Sequence, residues 1–238
     1  MIESATVCVP LTCETFEDVI NYVKDAEQGG ADLVEIWLDS LPFTYGKSRK
    51  DQKLMNELCG LIDLPILCVN KAGEEKGSCG QPEAERVGLL AKAVMAGVDY
   101  IDVGIHTDPE LVQLLVDTIE EQGGMTQLII SYHNFETTPP HEELEEIVNQ
   151  AKERGADVVK IATYATSESD NQTLFTLLDF IQQQGIRGIV VCMGGYGKAS
   201  RIHATEHGSI WTYAALDENL KTAPGQITLK EFKECIAS

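Results

Sequence analysis

Hydrophobic positions along the chain follow two patterns that alternate with each other. Eight short runs rich in β-branched residues are almost continuously apolar, which is typical of parallel strands covered by helices. These runs lie at 6–13, 33–40, 65–70, 100–105, 127–135, 157–165, 188–195 and 209–216. Apolar residues at helical spacing occur between them, and most of these segments end at glycines. The helical segments lie at 16–30, 83–97, 109–124, 141–155, 168–184 and 228–236.

This alternation of strands and helices predicts the fold class. Eight strand-helix units in 238 residues indicate an α/β protein with a closed (β/α)8 barrel, a TIM barrel. Because no linker or low-complexity segment divides the chain, we expect residues 1–238 to form a single domain. The alternative is a doubly wound open sheet. That fold usually has a glycine-rich dinucleotide turn after its first strand, and the segment PLTCETFED contains none.

Charge and composition restrict the possible partners. The chain carries 38 acidic and 18 basic residues, a formal charge of −20, which disfavours nucleic acid and anionic membranes as partners. An anionic substrate must therefore be bound by a few local cations. No apolar run approaches the ~20 residues that span a bilayer, and the N-terminus lacks a signal-peptide pattern. Seven cysteines without a C-x-x-C pair indicate reduced thiols, with Cys79 the candidate for an exposed one. We expect a cytoplasmic protein.

Lys160 stands in the middle of the apolar run ADVVKIATYA, residues 156–165. An unpaired buried ammonium is costly, so this lysine needs an explanation. One explanation is an internal ion pair, for instance with Glu35 or Asp102. The other is a Schiff-base lysine, whose pKa is lowered by desolvation and neighbouring cations so that the free amine attacks a ketone.

Other polar residues cluster near the C-terminal ends of the predicted strands, where catalytic groups of TIM barrels lie. His133 ends the strand before that of Lys160 and could serve as a general base, although a lone histidine is often part of a core. Arg201 could bind a carboxylate or phosphate, although it could also form a surface salt bridge. The remaining candidates are Glu35, Asp39, Asn70, Lys71, Glu74, Glu75, Lys198, Thr222 and Gln226.

Metal and phosphate motifs are weak in this chain. The segment GGYGKAS (194–200) lacks the first glycine of a Walker A loop. His203 and His207 have i, i+4 spacing but no intervening glutamate and no third ligand. We expect no metal and no cofactor.

Five stretches together carry a resemblance to a known family: ADLVEIWLD, ISYHNFETTP, DVVKIAT, MGGYGKASRI and APGQI. In this order, over essentially the whole chain, they resemble the type I 3-dehydroquinate dehydratases, Schiff-base (β/α)8 hydro-lyases of the shikimate pathway. The resemblance implies that Lys160 condenses with the C3 ketone and that His133 is the general acid/base. It also implies that Glu74 or Glu75 orients the histidine and that Arg201 pairs with the substrate carboxylate.

The same resemblance implies further contacts and properties. Glu35 and Gln226 match residues that contact the substrate, and Thr222 stands where a serine is common. The implied partner is a small anionic hydroxy-keto acid, and the implied assembly is a homodimer.

Two arginines of the family pattern are replaced in this chain. Trp37 stands in the third position of the strand-two pattern E-x-R-x-D, and Asn70, followed by Lys71, stands where the family has an arginine after strand three. Gly104 fills a commonly acidic position in strand four. Trp37, Asn70 and Lys71 are thus the candidates for substrate contact at these positions. If the family's two arginines hold ring hydroxyls, their loss should weaken binding of dehydroquinate or favour a less hydroxylated keto acid. A divergent Schiff-base enzyme for another keto acid or a phosphorylated substrate, and a non-catalytic metabolite-binding relative, are the alternatives.

Overall fold

The computed structural model of the chain describes residues 6–45, 49–73, 77 and 80–237. Its eight strands are β1 (Val7–Leu11), β2 (Leu33–Trp37), β3 (Ile66–Val69), β4 (Tyr100–Gly104), β5 (Gln127–His133), β6 (Val158–Tyr164), β7 (Arg187–Met193) and β8 (Thr212–Tyr213). The helices are α1 (Phe16–Gln28), α2 (Arg49–Cys59), α3 (Glu83–Met95), α4 (Pro109–Glu121), α5 (His141–Glu153), α6 (Ser169–Gln183), α7 (Lys198–His203) and α8 (Leu229–Ile236).

The strands form one parallel sheet in the order β7-β6-β5-β4-β3-β2-β1-β8. β8 therefore lies beside β1, and the sheet curves until its two ends meet. The Ile210 N–H donates to the Gly188 carbonyl at 2.9 Å across this junction. The TIM-barrel prediction is confirmed: in the described part of the chain, eight strands form a nearly closed barrel surrounded by eight α-helices. The sequential strand order is incompatible with a doubly wound sheet, in which the order reverses at a switch point.

Two helices and the length of the last strand differ from the sequence prediction. α2 begins in the polar segment RKDQK and buries only Asp51, Met55 and Leu58, so its apolar stripe is too narrow to stand out. α7 is six residues long and lies in what the sequence indicated as a loop. β8 has only two residues. The buried apolar run continues into Ala214 and Ala215, but Ala215 forms a bridge with Thr228 and its N–H donates to the Ile227 carbonyl at 2.9 Å.

Apolar side chains are buried in two places. The larger cluster lies between the strands and the helices, and the smaller one fills the inside of the barrel. Val158 belongs to the inner cluster. Lys160 lies two residues later on the same strand, and its side chain points to the same side of the sheet because side chains alternate along a strand. In the same way Glu35 lies between Leu33 and Trp37 of the inner cluster. The strand period thus directs both charged residues into the barrel.

The structure describes six of the seven cysteines and allows its helices to be compared with the length of a membrane span. The described cysteines, Cys8, Cys13, Cys59, Cys68, Cys192 and Cys235, are free thiols, while Cys79 lies outside the described residues. Over the described ranges, none of the helices combines the length and the apolar character needed to cross a bilayer.

Two glycines pack where the barrel closes between β7 and the segment before α8. The Gly194 N–H donates to the Pro224 carbonyl at 3.0 Å. Gly225 has a φ of +72°, and a Cβ placed on it would lie 2.2 Å from the Gly194 oxygen. Only glycine meets both conditions, because a side chain is disfavoured in this backbone region and would also collide with the neighbouring backbone.

We expect Gly225→Ala to lower the free energy of unfolding by about 2–5 kcal/mol, since backbone strain and overpacking add. Gly97→Ala is the matched control, because Gly97 has a φ of +84° but a Cβ added to it would meet no atom within 4 Å. Gly97→Ala should lower the free energy of unfolding only by the backbone strain, about 1–2 kcal/mol. Urea denaturation of both variants measures the difference, and equal losses would contradict the close packing at Gly225.

Candidate active site

A cavity opens at the C-terminal ends of the strands. Eight of the side chains predicted for the site line it: Glu35, Trp37, Lys71, His133, Lys160, Arg201, Thr222 and Gln226. Its remaining lining residues are Pro10, Phe135, Ala162, Val191, Met193, Tyr213 and Ala223. Glu74 and Glu75, the two candidates for orienting the histidine, lie outside the described residues.

Lys160 is buried in the floor of this cavity between two carboxylates. Its Nζ donates to Glu35 Oε2 at 3.1 Å and to Asp102 Oδ2 at 3.0 Å, and only 4% of the residue is exposed. Burial lowers the pKa of Lys160, but the charge of Glu35, followed by contributions from Tyr213 and Asp102, raises it well above its usual value. The expectation of a lowered pKa is therefore wrong, because anions and not cations surround the amine.

Lys160, its two carboxylate partners and the tyrosine beside it come from alternate strands. Glu35 lies on β2, Asp102 on β4, Lys160 on β6 and Tyr213 on β8. The Lys160 ammonium also lies over the Tyr213 ring, 4.7 Å from its centroid. TIM barrels are filled by layers of four side chains from alternate strands, and these layers are usually apolar. Here one layer is ionic, because it contains an ammonium between two carboxylates and beside a phenol.

Glu35 is engaged at both oxygens. Its Oε1 accepts a hydrogen bond from Trp37 Nε1 at 2.7 Å, while Oε2 accepts from Lys160. Burial raises the pKa of Glu35, but the charges of Lys160 and Lys71 and the two hydrogen bonds lower it to about 2. Glu35 is thus an ionised group that positions the lysine and the indole.

Lys71 reaches the same cavity from the loop after β3. Its Nζ lies 4.7 Å from the centroid of the Trp37 ring and 3.5 Å from His133 Nε2. The backbone N–H of Lys71 donates to Asp39 Oδ1 at 3.2 Å, which holds the loop against the turn that follows β2. His133 itself stacks on Phe135 with a centroid separation of 5.9 Å. A cation, an indole and an imidazole therefore form one wall.

His133 lies beside Lys160 as the strand order requires. β5 and β6 are paired in parallel, with Ser131 opposite Lys160 and His133 opposite Ala162. The imidazole is therefore placed one layer above the amine, on the neighbouring strand. A substrate atom held between the two layers could contact both groups.

Arg201 is buried without a carboxylate partner among the described residues. It is 1% exposed, and its Nη2 donates to the Pro224 carbonyl at 3.3 Å. Its Nε has no hydrogen-bond partner in the described part of the chain. Burial lowers the pKa of Arg201 to about 10, so the guanidinium is charged at neutral pH. The alternative of a surface arginine in a salt bridge is wrong, and the unpaired cation can bind an anion.

Gln226 and Thr222 lie beside Arg201 on the cavity wall. The Thr222 N–H donates to Gln226 Oε1 at 2.8 Å, and the Thr222 hydroxyl is 3.3 Å from the same oxygen. With its oxygen satisfied in this way, the Gln226 carboxamide is oriented to present its N–H groups as donors.

Asn70 is buried but does not line the main cavity. Its Oδ1 accepts from the Tyr45 hydroxyl at 3.1 Å, and its Nδ2 donates to the Arg86 carbonyl at 2.9 Å. Arg86 in turn donates from Nη1 to the Asn70 carbonyl at 3.0 Å. These contacts join the loop after β3 to α3, and Asn70 lines a smaller pocket with Lys71 and Asp102 instead of the main cavity.

The weaker sequence motifs have structural explanations. His203 Nδ1 lies 3.0 Å from Glu206 Oε2, and the His207 ring stacks on Phe175 at 4.0 Å. Lys198 is exposed outside the cavity. Within the part of the chain that the structure describes, no three histidine, cysteine or acidic side chains are grouped so as to hold a metal ion.

Sequence reasoning gave Asp102 only a possible ion-pair role and did not single out Tyr213. Asp102 could have been found as the acidic residue in the apolar run YIDVGI. Tyr213 had no such signal, because a tyrosine in the run SIWTYAAL is an ordinary core residue until its neighbours are known.

Comparisons with known proteins agree with this geometry. A family model described as type I 3-dehydroquinase matches residues 7–238. The 3-dehydroquinate dehydratase of Desulfotalea psychrophila is 31% identical over 236 residues, covering 99% of each chain. Among solved structures, the enzyme of Clostridium difficile aligns with a TM-score of 0.86 and 26% identity, over 98% of this chain and 91% of that one. The enzyme of Aquifex aeolicus aligns with a TM-score of 0.78 and 30% identity, over 97% and 96%.

We expect Lys160→Met to lower the free energy of unfolding at pH 7 by about 3–5 kcal/mol, because two buried carboxylates lose their cation. In the wild type, the lowered pKa of Glu35 means that its contribution is present above the ordinary carboxyl pKa and is lost as pH falls towards 2. In the variant the carboxylates become easier to protonate, so the deficit relative to wild type should shrink as pH falls from 7 to 5.

Urea denaturation at the two pH values measures this deficit. The matched control is Lys53→Met, which removes an exposed pair with Glu57 at 3.5 Å and should change stability by less than about 0.5 kcal/mol at either pH. A deficit of Lys160→Met that matches the control, or that does not depend on pH, would contradict the ion-pair layer.

Proposed function

Because the chain belongs to the type I 3-dehydroquinase family, we propose that it dehydrates 3-dehydroquinate to 3-dehydroshikimate through an imine on Lys160. The observation that carries this proposal is the joint burial of Lys160 and Arg201 in one cavity that also contains His133. An amine, an unpaired guanidinium and an imidazole are the groups that imine chemistry on a keto acid requires.

Substrate binding begins at Arg201. The guanidinium forms charge-assisted hydrogen bonds to the substrate carboxylate, and the Gln226 N–H groups add neutral donors beside it. A chain of charge −20 repels anions at long range. The Arg201 guanidinium and the Gln226 N–H groups therefore provide the local attraction for the carboxylate. Anchoring the carboxylate leaves the ring ketone to be positioned at Lys160.

Imine formation requires the Lys160 ammonium to lose protons. Glu35 and Asp102 lie within hydrogen-bond distance of Nζ. Asp102 accepts the first proton, whereas Glu35, whose pKa is lowered to about 2, stays ionised. The amine then attacks the ketone, and the oxygen leaves as water. The product is again a cation at the same position, an iminium in place of the ammonium. The carboxylates that raise the pKa of the lysine therefore also stabilise the iminium, which draws electrons from the adjacent carbon.

His133 completes the elimination. It removes the proton from C2 as the electrons move towards the iminium, and then protonates the C1 hydroxyl as that group leaves as water. The Lys71 ammonium lies 3.5 Å from His133 Nε2, so the imidazole is held against the wall of the cavity. Hydrolysis of the imine releases the product and restores Lys160. The homodimer and the cytoplasmic location implied by the resemblance are part of this proposal.

A second candidate is the same chemistry on a less hydroxylated keto acid. Trp37 presents an aromatic face to the cavity, and both Glu35 oxygens already accept hydrogen bonds inside the protein. Asn70 forms its hydrogen bonds elsewhere. This wall thus offers few groups to ring hydroxyls and favours a flatter ring. The Clostridium difficile relative was solved with covalently modified comenic acid, which makes that compound a suitable probe.

We expect incubation with 3-dehydroquinate and borohydride to give a reduced adduct that mass spectrometry locates on Lys160. Without borohydride, the absorbance of the conjugated product should rise. Lys160→Met should give no adduct, whereas Lys71→Met, which removes another buried cavity lysine, should still be modified at Lys160. Full dehydratase activity in Lys160→Met would contradict every imine mechanism.

The same experiment with comenic acid separates the candidate functions. Adduct and turnover with dehydroquinate support the dehydratase. An adduct with comenic acid but none with dehydroquinate supports the less hydroxylated substrate. Adduct formation without turnover of either compound indicates a binding protein.

We expect Arg201→Gln to raise KM at least about 30-fold, because a buried charge-assisted contact to the carboxylate is worth about 2 kcal/mol or more, while kcat changes less. The matched control is Arg187→Gln, on the first residue of β7 at the opposite end of the barrel, where the side chain is exposed. Steady-state kinetics of both variants measure the effect. An unchanged KM in Arg201→Gln would exclude the arginine from carboxylate binding.

A further inference from the structure

Tyr213 is a buried cavity residue whose hydroxyl proton is not donated to any described group. It lies on β8, opposite Cys8 of β1, and is only 6% exposed. It lines the same cavity as Lys160 and Arg201. By geometry its hydroxyl has no hydrogen-bond partner in the described part of the chain, and the Lys160 ammonium, which interacts with the hydroxyl oxygen, is itself a donor and leaves the phenol proton uncommitted. Buried phenols nearly always have such a partner, so this hydroxyl is available to a bound molecule.

The Tyr213 hydroxyl is a neutral donor next to the reactive amine. The Lys160 Nζ lies 4.7 Å from the centroid of the Tyr213 ring. Burial, despite the opposing effect of Lys160, raises the pKa of Tyr213 well above its usual value, and Glu35 adds to the increase. The phenol therefore retains its proton at neutral pH and donates it in hydrogen bonds.

The other groups around the Lys160 amine cannot supply a donor to substrate. Glu35 and Asp102 are carboxylates that accept from Lys160. The Trp37 N–H is already donated to Glu35 at 2.7 Å. Among the described side chains that surround this amine, Tyr213 is the one with an uncommitted neutral donor.

Imine formation needs such a donor at the ketone oxygen. The reaction joins an ammonium and a ketone to give an iminium and water, so nitrogen gives up two protons and oxygen leaves with both. The N–C bond forms as the C–O π bond breaks, and the remaining C–O bond breaks when the hydroxyl of the carbinolamine takes up its second proton. Negative charge accumulates on the oxygen during attack, and two carboxylates nearby would oppose it.

We propose that Tyr213 is a catalytic residue whose hydroxyl donates a hydrogen bond to the substrate oxygen that Lys160 displaces. This assignment rests on the proposed imine chemistry. Tyr213 stabilises the oxygen during attack and orients the carbinolamine hydroxyl for departure, and it keeps its own proton throughout. Asp102 carries the protons, and the phenol offsets the repulsion between the carboxylates and the developing charge.

The test is Tyr213→Phe, which removes only the hydroxyl. With 3-dehydroquinate at saturation, we expect the rate constant of borohydride-trapped adduct formation to fall at least about tenfold, as for other lost donors to a developing oxyanion. We also expect the melting temperature to stay the same or rise, because a buried hydroxyl without a partner is removed. If the tyrosine had only a structural role, the rate constant of trapping would stay unchanged and the melting temperature would fall.

The matched control is Tyr196→Phe, the same chemical change at a tyrosine that is 57% exposed and outside the cavity. It should leave trapping and melting unchanged. Trapping by Tyr213→Phe at the wild-type saturating rate would overturn the assignment while leaving the proposed function intact. Wild-type protein that forms no adduct with dehydroquinate or comenic acid would overturn both.

Discussion

The ionic layer inside the barrel is the constraint on which the rest of the site depends. Lys160 can be buried only because Glu35 and Asp102 lie within 3.1 Å of its amine, and the carboxylates can be buried only because the amine is there. These residues come from β6, β2 and β4, so none of the contacts forms unless the sheet curves into a barrel. Closure of the barrel therefore also brings the ammonium and its two carboxylates together.

Two buried cations of the cavity, Lys160 and Arg201, differ in their hydrogen-bond partners. Lys160 has two carboxylate partners, whereas Arg201 has only a carbonyl partner among the described residues. A paired cation is held in place for chemistry, while a buried unpaired cation attracts an anion from outside. The charge of −20 on the chain makes this second kind of cation necessary for an acidic substrate.

The wall formed by Trp37 and Lys71 determines what else the cavity accepts. The indole N–H occupies Glu35 Oε1, and the Lys71 ammonium covers the indole face 4.7 Å from its centroid. An arginine fork at position 37 would offer several donors to a ring, but the indole offers a flat surface and no free N–H. This wall also contacts the neighbouring charged groups, because the indole N–H is donated to the carboxylate that holds Lys160 and the Lys71 ammonium lies 3.5 Å from His133 Nε2.

The sequence by itself determined the periodicities, and these were sufficient for the barrel, because strand and helix spacing are local properties. It also drew attention to Lys160, since a charge in a continuous apolar run is visible without a structure. The sequence could not establish the direction of the Lys160 pKa shift, because that direction depends on Asp102 and Glu35, which lie 58 and 125 positions away along the chain. Nor could it separate Asn70, which is used inside the loop, from Lys71, which reaches the cavity. Only the tertiary structure decided these points and revealed the Tyr213 hydroxyl, because electrostatics and hydrogen bonding depend on distances in space.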